Sequence, residues 1–354
     1  MAPDPSPEPV ASPRSTDGAP SGSGAAPTRS GTRLRTRAWE DGRAVAAGFP
    51  LADVSDHLAV DGRLVWIDLV DPDEDDFAAL EDEIGPHELA VEDALHDGQR
   101  PKVDRYRDHL FTALYDVELD RTSGEVATDE VKAIVTHRAL VTVHHDGFDV
   151  DRLEKAWDDS PDLAGHGVAW LLWGLLDRVA DRQHACVDAL DDELEALDDD
   201  LFDPARHGLD VQRRSFALRQ GLVRLRRVCV PMPDLLASIV RDEHAGARGD
   251  LQPYLRDVED HVLRTAQQAD SLRDLVQTIL DTDLALQSQR SNDVMKKVTS
   301  WAAVIAVPTA VTGFFGQNVP FPGSGQPWGA ALSAGLVLGS SVALWIGFRR
   351  RDWL

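Results

Sequence analysis

The sequence predicts an α+β protein: a cytoplasmic mixed α/β domain, then long stalk helices, then two C-terminal transmembrane helices. Three observations carry this. Strand-like apolar runs stop after Pro161. From Tyr254 to Val307 neither proline nor glycine interrupts the chain. Near the C-terminus, two uncharged stretches of membrane-spanning length are each bounded by basic residues. The expected divisions are a disordered tail (1–35), an α/β domain (36–165), a helical stalk (166–297), a first span (298–315), an outer loop (316–327), a second span (328–348) and a basic tail (349–354).

The first thirty-odd residues are rich in Pro, Ser, Gly and Ala and nearly lack large apolar side chains. They cannot bury enough surface to offset ordering entropy, so disorder is expected. The whole chain has 354 residues and a formal net charge of −25. That balance excludes a phosphate-backbone partner, which needs clustered Lys and Arg, so no nucleic acid is expected. It suits a protein that attracts cations, and equally a plain acidic surface. Cys186 and Cys229 are the two cysteines; with no Cys-x-x-Cys spacing, reduced thiols in a cytosolic region are expected.

Leu64–Leu69 is a short apolar run ending in Val70-Asp71-Pro72, which suits a strand followed by a helix cap. Helices are expected over 74–84 and 86–95. Residues 109–119 and 133–144 are β-rich, and the turn residues of 120–128 between them suggest a hairpin. Beyond Pro161, residues 167–202 place Leu171, Leu175, Val179, Val187, Leu190, Leu194 and Leu197 near helical spacing. The end of this helix is a hydrated acidic face, with nine Asp or Glu between Asp188 and Asp203. A second helical stretch, 211–243, is broken at Pro231-Met232-Pro233. The third, from Pro253 to Gly313, spans about 90 Å at ~1.5 Å per residue. That is the length of a stalk.

The stalk enters the membrane. Residues 298–315 carry no charge and follow Lys296-Lys297; residues 328–348 carry none and precede Arg349-Arg350-Arg351. Each is long enough for about 30 Å of hydrocarbon, and a membrane helix tolerates Pro308. Basic residues at the outer ends of both spans put both termini in the cytoplasm of a multi-pass protein of the cell membrane, in contact with lipid. Trp301, Trp328 and Trp345 suit interfacial positions.

Two spans cannot enclose a watery pathway, so several copies must meet around an axis. Steps of three and four along the first span give one face: Asp281, Ala285, Ser288, Asn292, Met295, Val298, Ala302, Ala306, Thr309, Gly313 and Gly316. Its apolar middle suits a dewetting gate, with Asp281 and Asn292 offering oxygen to a cation beneath it. The alternative places those two in solvent on a stalk. In the outer connection, Gly316 is expected to take positive φ at the chain reversal. Gln317 and Asn318 follow; a ring of Asn318 amides would hold a hydrated Mg²⁺ through its water shell.

Three segments resemble the CorA-type magnesium and divalent-metal transporters, the two-span group marked by Gly-x-Asn. They are Val91–His96 with Gln99–Val103, Tyr254–His261 with Ser271–Asp274, and Asn292–Lys296 leading to Thr312–Asn318. The resemblance covers about four-fifths of the chain. It implies a homopentameric funnel, a pore lined by the first span, and Mg²⁺ as both substrate and regulatory ligand, with no cofactor. It further implies that Mg²⁺ between neighbouring cytoplasmic domains holds the pore shut. The matching carboxylates are Asp93 and Asp257, assisted by Glu92, with Asp177 or Asp181 as a further candidate.

Two departures stand out. Gln317 occupies the usual Met position, a change found in relatives resembling the zinc-transporting branch. The stretch from Gly316 to Trp328 has no charge, so no acidic ring concentrates cations at the mouth. Three readings follow: a channel for hydrated Mg²⁺ that also takes Co²⁺ or Ni²⁺, a Zn²⁺ transporter of the same fold, or a membrane-anchored metal sensor. No Cys or His lies in the spans or outer loop, which favours magnesium over zinc. No nucleophile triad, His-Glu-x-x-His or Gly-rich phosphate loop points to an enzyme.

Overall fold

The computed structural model describes residues 33–121, 123–202, 209–241, 251–317, 320, 323 and 325–353. The N-terminal part is a seven-stranded sheet with helices on both faces. Along the chain it comprises β1 (Arg33–Glu40), β2 (Arg43–Ala47), α1 (Val54–Leu58), β3 (Leu64–Val70), α2 (Glu74–Ile84) and α3 (Glu88–Leu95). Then come β4 (Lys102–Arg105), β5 (His109–Asp120), β6 (Glu125–Thr136), β7 (Ala139–His144) and α4 (Val150–Asp158). The strand order is β2-β1-β3-β7-β6-β5-β4. Only the β3–β7 pair is parallel.

Several elements differ from the expectation. Residues 33–35 are not part of a disordered tail: they begin β1, where Arg33 pairs with Val70 and Trp39 with Leu64. Alternating arginines hid this strand, because each is held by an acid that is distant in sequence. Arg33 meets Asp146, Arg35 meets Asp151, and Arg37 meets Asp158 at 2.6 Å. The β-rich stretch 133–144 comprises the end of β6 and all of β7; Thr136 Oγ1 accepts from Ala139 N at 2.9 Å and tightens the turn between them. The β5–β6 turn is correspondingly short, with Asp120 facing Glu125. Helix α2 is capped by Asp73, which forms a capping box with Asp76, while Asp71 takes φ 52° in the preceding turn.

The core under this sheet is built on tryptophans. Trp39, Trp66 and Trp157 are essentially buried, and Trp157 meets the other two edge-on at 5.8 and 4.9 Å. Trp157 Nε1 donates to the Leu171 carbonyl, so α4 locks the sheet to the first long helix. A Cβ at Gly174 would lie 2.4 Å from that indole nitrogen, which accounts for glycine there.

The helical part holds α5 (Val168–Phe202), α6 (Leu209–Cys229), α7 (Met232–Val240), α8 (Gln252–Phe315) and α9 (Pro327–Arg349). The break between α6 and α7 falls at the expected proline pair; Glu243, the expected end of that stretch, lies outside the described residues. Helix α8 runs 64 residues, about 95 Å at ~1.5 Å per residue. Val258, Val262, Ala269, Leu272, Val276 and Ile279 bury its first half against α5 and α6. Pro308 sits inside it without ending it. Among the described residues, its second half and α9 are the two segments long and apolar enough to cross a membrane.

Candidate functional site

The membrane half of α8 has two unlike faces. Ser300 is fully buried, and Val304, Val307, Val311 and Phe315 are half-buried on the side that meets α9. On the other side Asp281, Ala285, Ser288, Asn292, Met295, Val298, Ala302, Ala306, Thr309 and Gly313 are all exposed. Met295 is 63% exposed and Val298 59%. Every residue expected to line a pathway below the outer loop is therefore exposed on one continuous face, though all of 287–299 is exposed and Ala285, Ser288, Asn292 and Met295 line a cleft shared with Trp353. Asp281 accepts from Gln277 within the same helix at 3.1 Å, and Thr309 Oγ1 donates back to the Ile305 carbonyl at 2.9 Å. Neither side chain is tied to another element.

The C-terminal end of α8 corrects one expectation. Gly316 has φ −88°, not a positive value. Its N–H closes onto the Thr312 and Gly313 carbonyls at 2.9 and 3.2 Å, so the helix ends by tightening in the ordinary right-handed region. The positive φ angles of the connection fall at Gly323 (98°) and Gly325 (80°). Close approach explains the partner glycine: a Cβ at Gly329 would lie 2.3 Å from the Gly323 carbonyl oxygen. Gln317 is exposed; Asn318 lies outside the described residues.

The candidate carboxylates outside the spans fall into two places. Asp93, on α3, is half-buried and held within its own chain: Lys102 Nζ donates to it at 2.6 Å and Gln99 Nε2 at 3.0 Å. Burial disfavours the Lys102 charge, but the hydrogen bonds it donates to Asp93 and Asp104 prevail and raise its pKa. Glu92 is exposed beside it. Asp257, on α8, is exposed and lies near Asp177 and Asp181 of α5. Burial, then the charges of Asp181 and Asp257, push the Asp177 carboxyl up to about 6. The structure thus brings Asp257 to Asp177 and Asp181, and does not bring it to Asp93.

Sequence reasoning missed two members of this seam. His261 Nδ1 stands 3.7 Å from Asp181, and its ring meets that of His184 at 4.6 Å. The spacing of Asp181 and His184 on α5 held the signal, but pairing it with α8 required knowing which helices touch. Among the described residues no three His, Cys, Asp or Glu side chains gather closely enough to hold an ion. A divalent cation on the seam needs oxygens from water or from another copy.

Comparison with known proteins fits this geometry. Residues 61–350 match the family described as CorA-like Mg²⁺ transporter protein. The cobalt/magnesium transport protein CorA of Thermotoga maritima is 28% identical over 274 residues, covering 76% of this chain and 77% of that protein. Its counterpart in Methanocaldococcus jannaschii is 24% identical over 298 residues, covering 83% and 92%. The complete structure of the latter organism's CorA magnesium transporter superposes with a TM-score of 0.74 at 21% identity, over 90% of this chain and 98% of that one. With a family match spanning most of its length, the chain belongs to the CorA-like Mg²⁺ transporters, proteins that move ions and are not enzymes.

Proposed function

We propose that this protein is a homopentameric channel of the cell membrane, with both termini cytoplasmic, that passes hydrated Mg²⁺ and also accepts Co²⁺. The observation that carries this is the exposed stripe of α8 from Asp281 to Gly313. A 64-residue helix that buries one face on its own chain and leaves a small, polar-ended face open is built to meet copies of itself. Five such faces around an axis enclose a path whose apolar middle, Val298 to Ala306, gates by dewetting. Above it, Gly316, Gln317 and Asn318 form the entrance, where neutral amides hold the ion by its water shell. Mg²⁺ surrenders water reluctantly, so outer-shell capture avoids that cost.

Closure follows from the carboxylates. Asp257 with Asp177 faces Asp93 and Glu92 of the neighbouring copy, and Mg²⁺ between them relieves the carboxylate repulsion that, after burial, raises the Asp177 pKa. Magnesium is preferred to zinc because the spans and outer loop hold oxygen donors and no Cys or His. Uptake of Mg²⁺, Co²⁺ and Zn²⁺ into sealed vesicles holding the purified protein tests this. Mg²⁺ uptake is expected for the native chain and at least a ten-fold loss for Asn318→Ala. Undiminished uptake in the variant would remove the amide ring, and uptake of Zn²⁺ alone would favour the zinc reading.

A further inference from the structure

We infer that the cleft between the Asp97–Pro101 loop and α6 binds a magnesium-chelated polyphosphate. The cleft encloses about 470 Å³ and lies on the cytoplasmic domain, away from the α8 stripe. That volume suits a small ligand. Its two walls carry opposite charge. Arg224 and Arg227 of α6 stand on one side; Asp97, Asp129 and Glu130 stand on the other. Asp97 is already neutralised by Lys132 at 2.9 Å and His145 at 3.0 Å.

Glu130 is the observation that asks for a ligand. It is 7% exposed, and its Oε2 accepts from Gly98 N at 2.7 Å. Its Oε1 is shut off from solvent and has no hydrogen-bond partner among the described residues. Tyr115 lies against the same carboxylate, but its one proton is given to the Gln99 carbonyl. An unpaired buried carboxylate oxygen is costly. Water coordinated to Mg²⁺ is a strong donor and supplies what is missing when the Glu130 side chain turns to present that oxygen to the cleft it lines.

The walls also select the ligand. A bare cation meets two guanidiniums, and a bare anion meets Asp129 and Glu130. A chelate bears both signs, with its phosphates toward Arg224 and Arg227 and its metal toward the carboxylates. No ready-made cage of three metal-ligating side chains exists among the described residues. That is how proteins usually take Mg²⁺ together with phosphates: one or two carboxylates, several waters, and oxygens that the ligand brings. The loop over the cleft also carries Gln99, which donates to Asp93. Occupancy therefore acts on the position of Asp93; this consequence alone rests on the closure reading above, whereas binding does not.

Calorimetric titration of the purified full-length protein with Mg·ATP tests the site, with inorganic Mg·triphosphate, Mg²⁺ alone and ATP in chelator as the other arms. Saturable binding of a chelate is expected, at least ten-fold weaker in the Arg224→Ala/Arg227→Ala double variant. Glu130→Gln should erase the preference for Mg·ATP over metal-free ATP. Tighter binding of Mg·ATP would identify a nucleotide as the source, and equal binding of Mg·triphosphate the inorganic chain. Absence of saturable binding at millimolar chelate would overturn the inference. So would unchanged affinity in the arginine variant, whose fold is checked by proteolysis.

Discussion

Two carboxylates make the sharpest claims at the scale of single residues. Asp177 titrates near 6, above the ordinary aspartate value, because burial and the charges of Asp181 and Asp257 oppose its ionisation. Between the unfolded and folded values the folded chain holds more protons, so stability falls as pH rises through about 4 to 6 and returns on acidification. Asp177→Asn removes the penalty. With exposure screening part of the effect, its melting midpoint at pH 7.5 without Mg²⁺ should rise by roughly 2–4 °C, the scale of a ~1 kcal/mol gain. Its midpoint should also vary less than that of the native chain across pH 4–6. For Asp257→Lys, a permanent cation replaces the bound one, so protease protection should no longer require Mg²⁺; protection that depends on Mg²⁺ as in the native chain would contradict the assignment. The sequence named Asp93 and Asp257 through motif resemblance and left Asp177 or Asp181 as a further candidate. It could not show that Lys102 and Gln99 already hold Asp93, since the irregular loop after α3 brings them there.

Among the elements, α8 was legible because 54 uninterrupted residues, Tyr254 to Val307, contain no breaker and its apolar positions keep helical spacing. Strand β1 was not, because its arginines mimic a solvated tail until their acidic partners are placed by α4 and the loop before it. The end at Gly316 was misread for a related reason: a glycine after a helix permits a left-handed turn without requiring one. The two faces of α8 predict different failures for substitutions two residues apart. Ser300 is fully buried, so Ser300→Leu should overpack the α8–α9 contact and cost about 1–3 kcal/mol, seen as a lower melting midpoint of the purified protein. Ala302 is exposed on the stripe; Ala302→Leu should leave the midpoint unchanged and reduce Mg²⁺ flux several-fold.

For the whole molecule, the distribution of charge is the informative quantity. A net charge of −25 sits on a chain whose outer connection, Gly316 to Trp328, has none. In the proposed channel this connection is a neutral entrance that captures ions by dipoles, so Mg²⁺ current should change little with external ionic strength once Mg²⁺ activity is held constant. Steep screening dependence would mean that fixed charge concentrates the ion. The most direct test asks whether the exposed stripe of α8 lines the path. Both native cysteines are buried, so a cysteine introduced at Ala302 is the accessible target. Mg²⁺ flux into vesicles carrying Ala302→Cys should be blocked by a charged, membrane-impermeant thiol reagent supplied on both sides. The same reagent should leave Leu338→Cys, on the exposed surface of α9, conducting as before. Undiminished flux through the modified Ala302→Cys protein would show that the ion passes elsewhere.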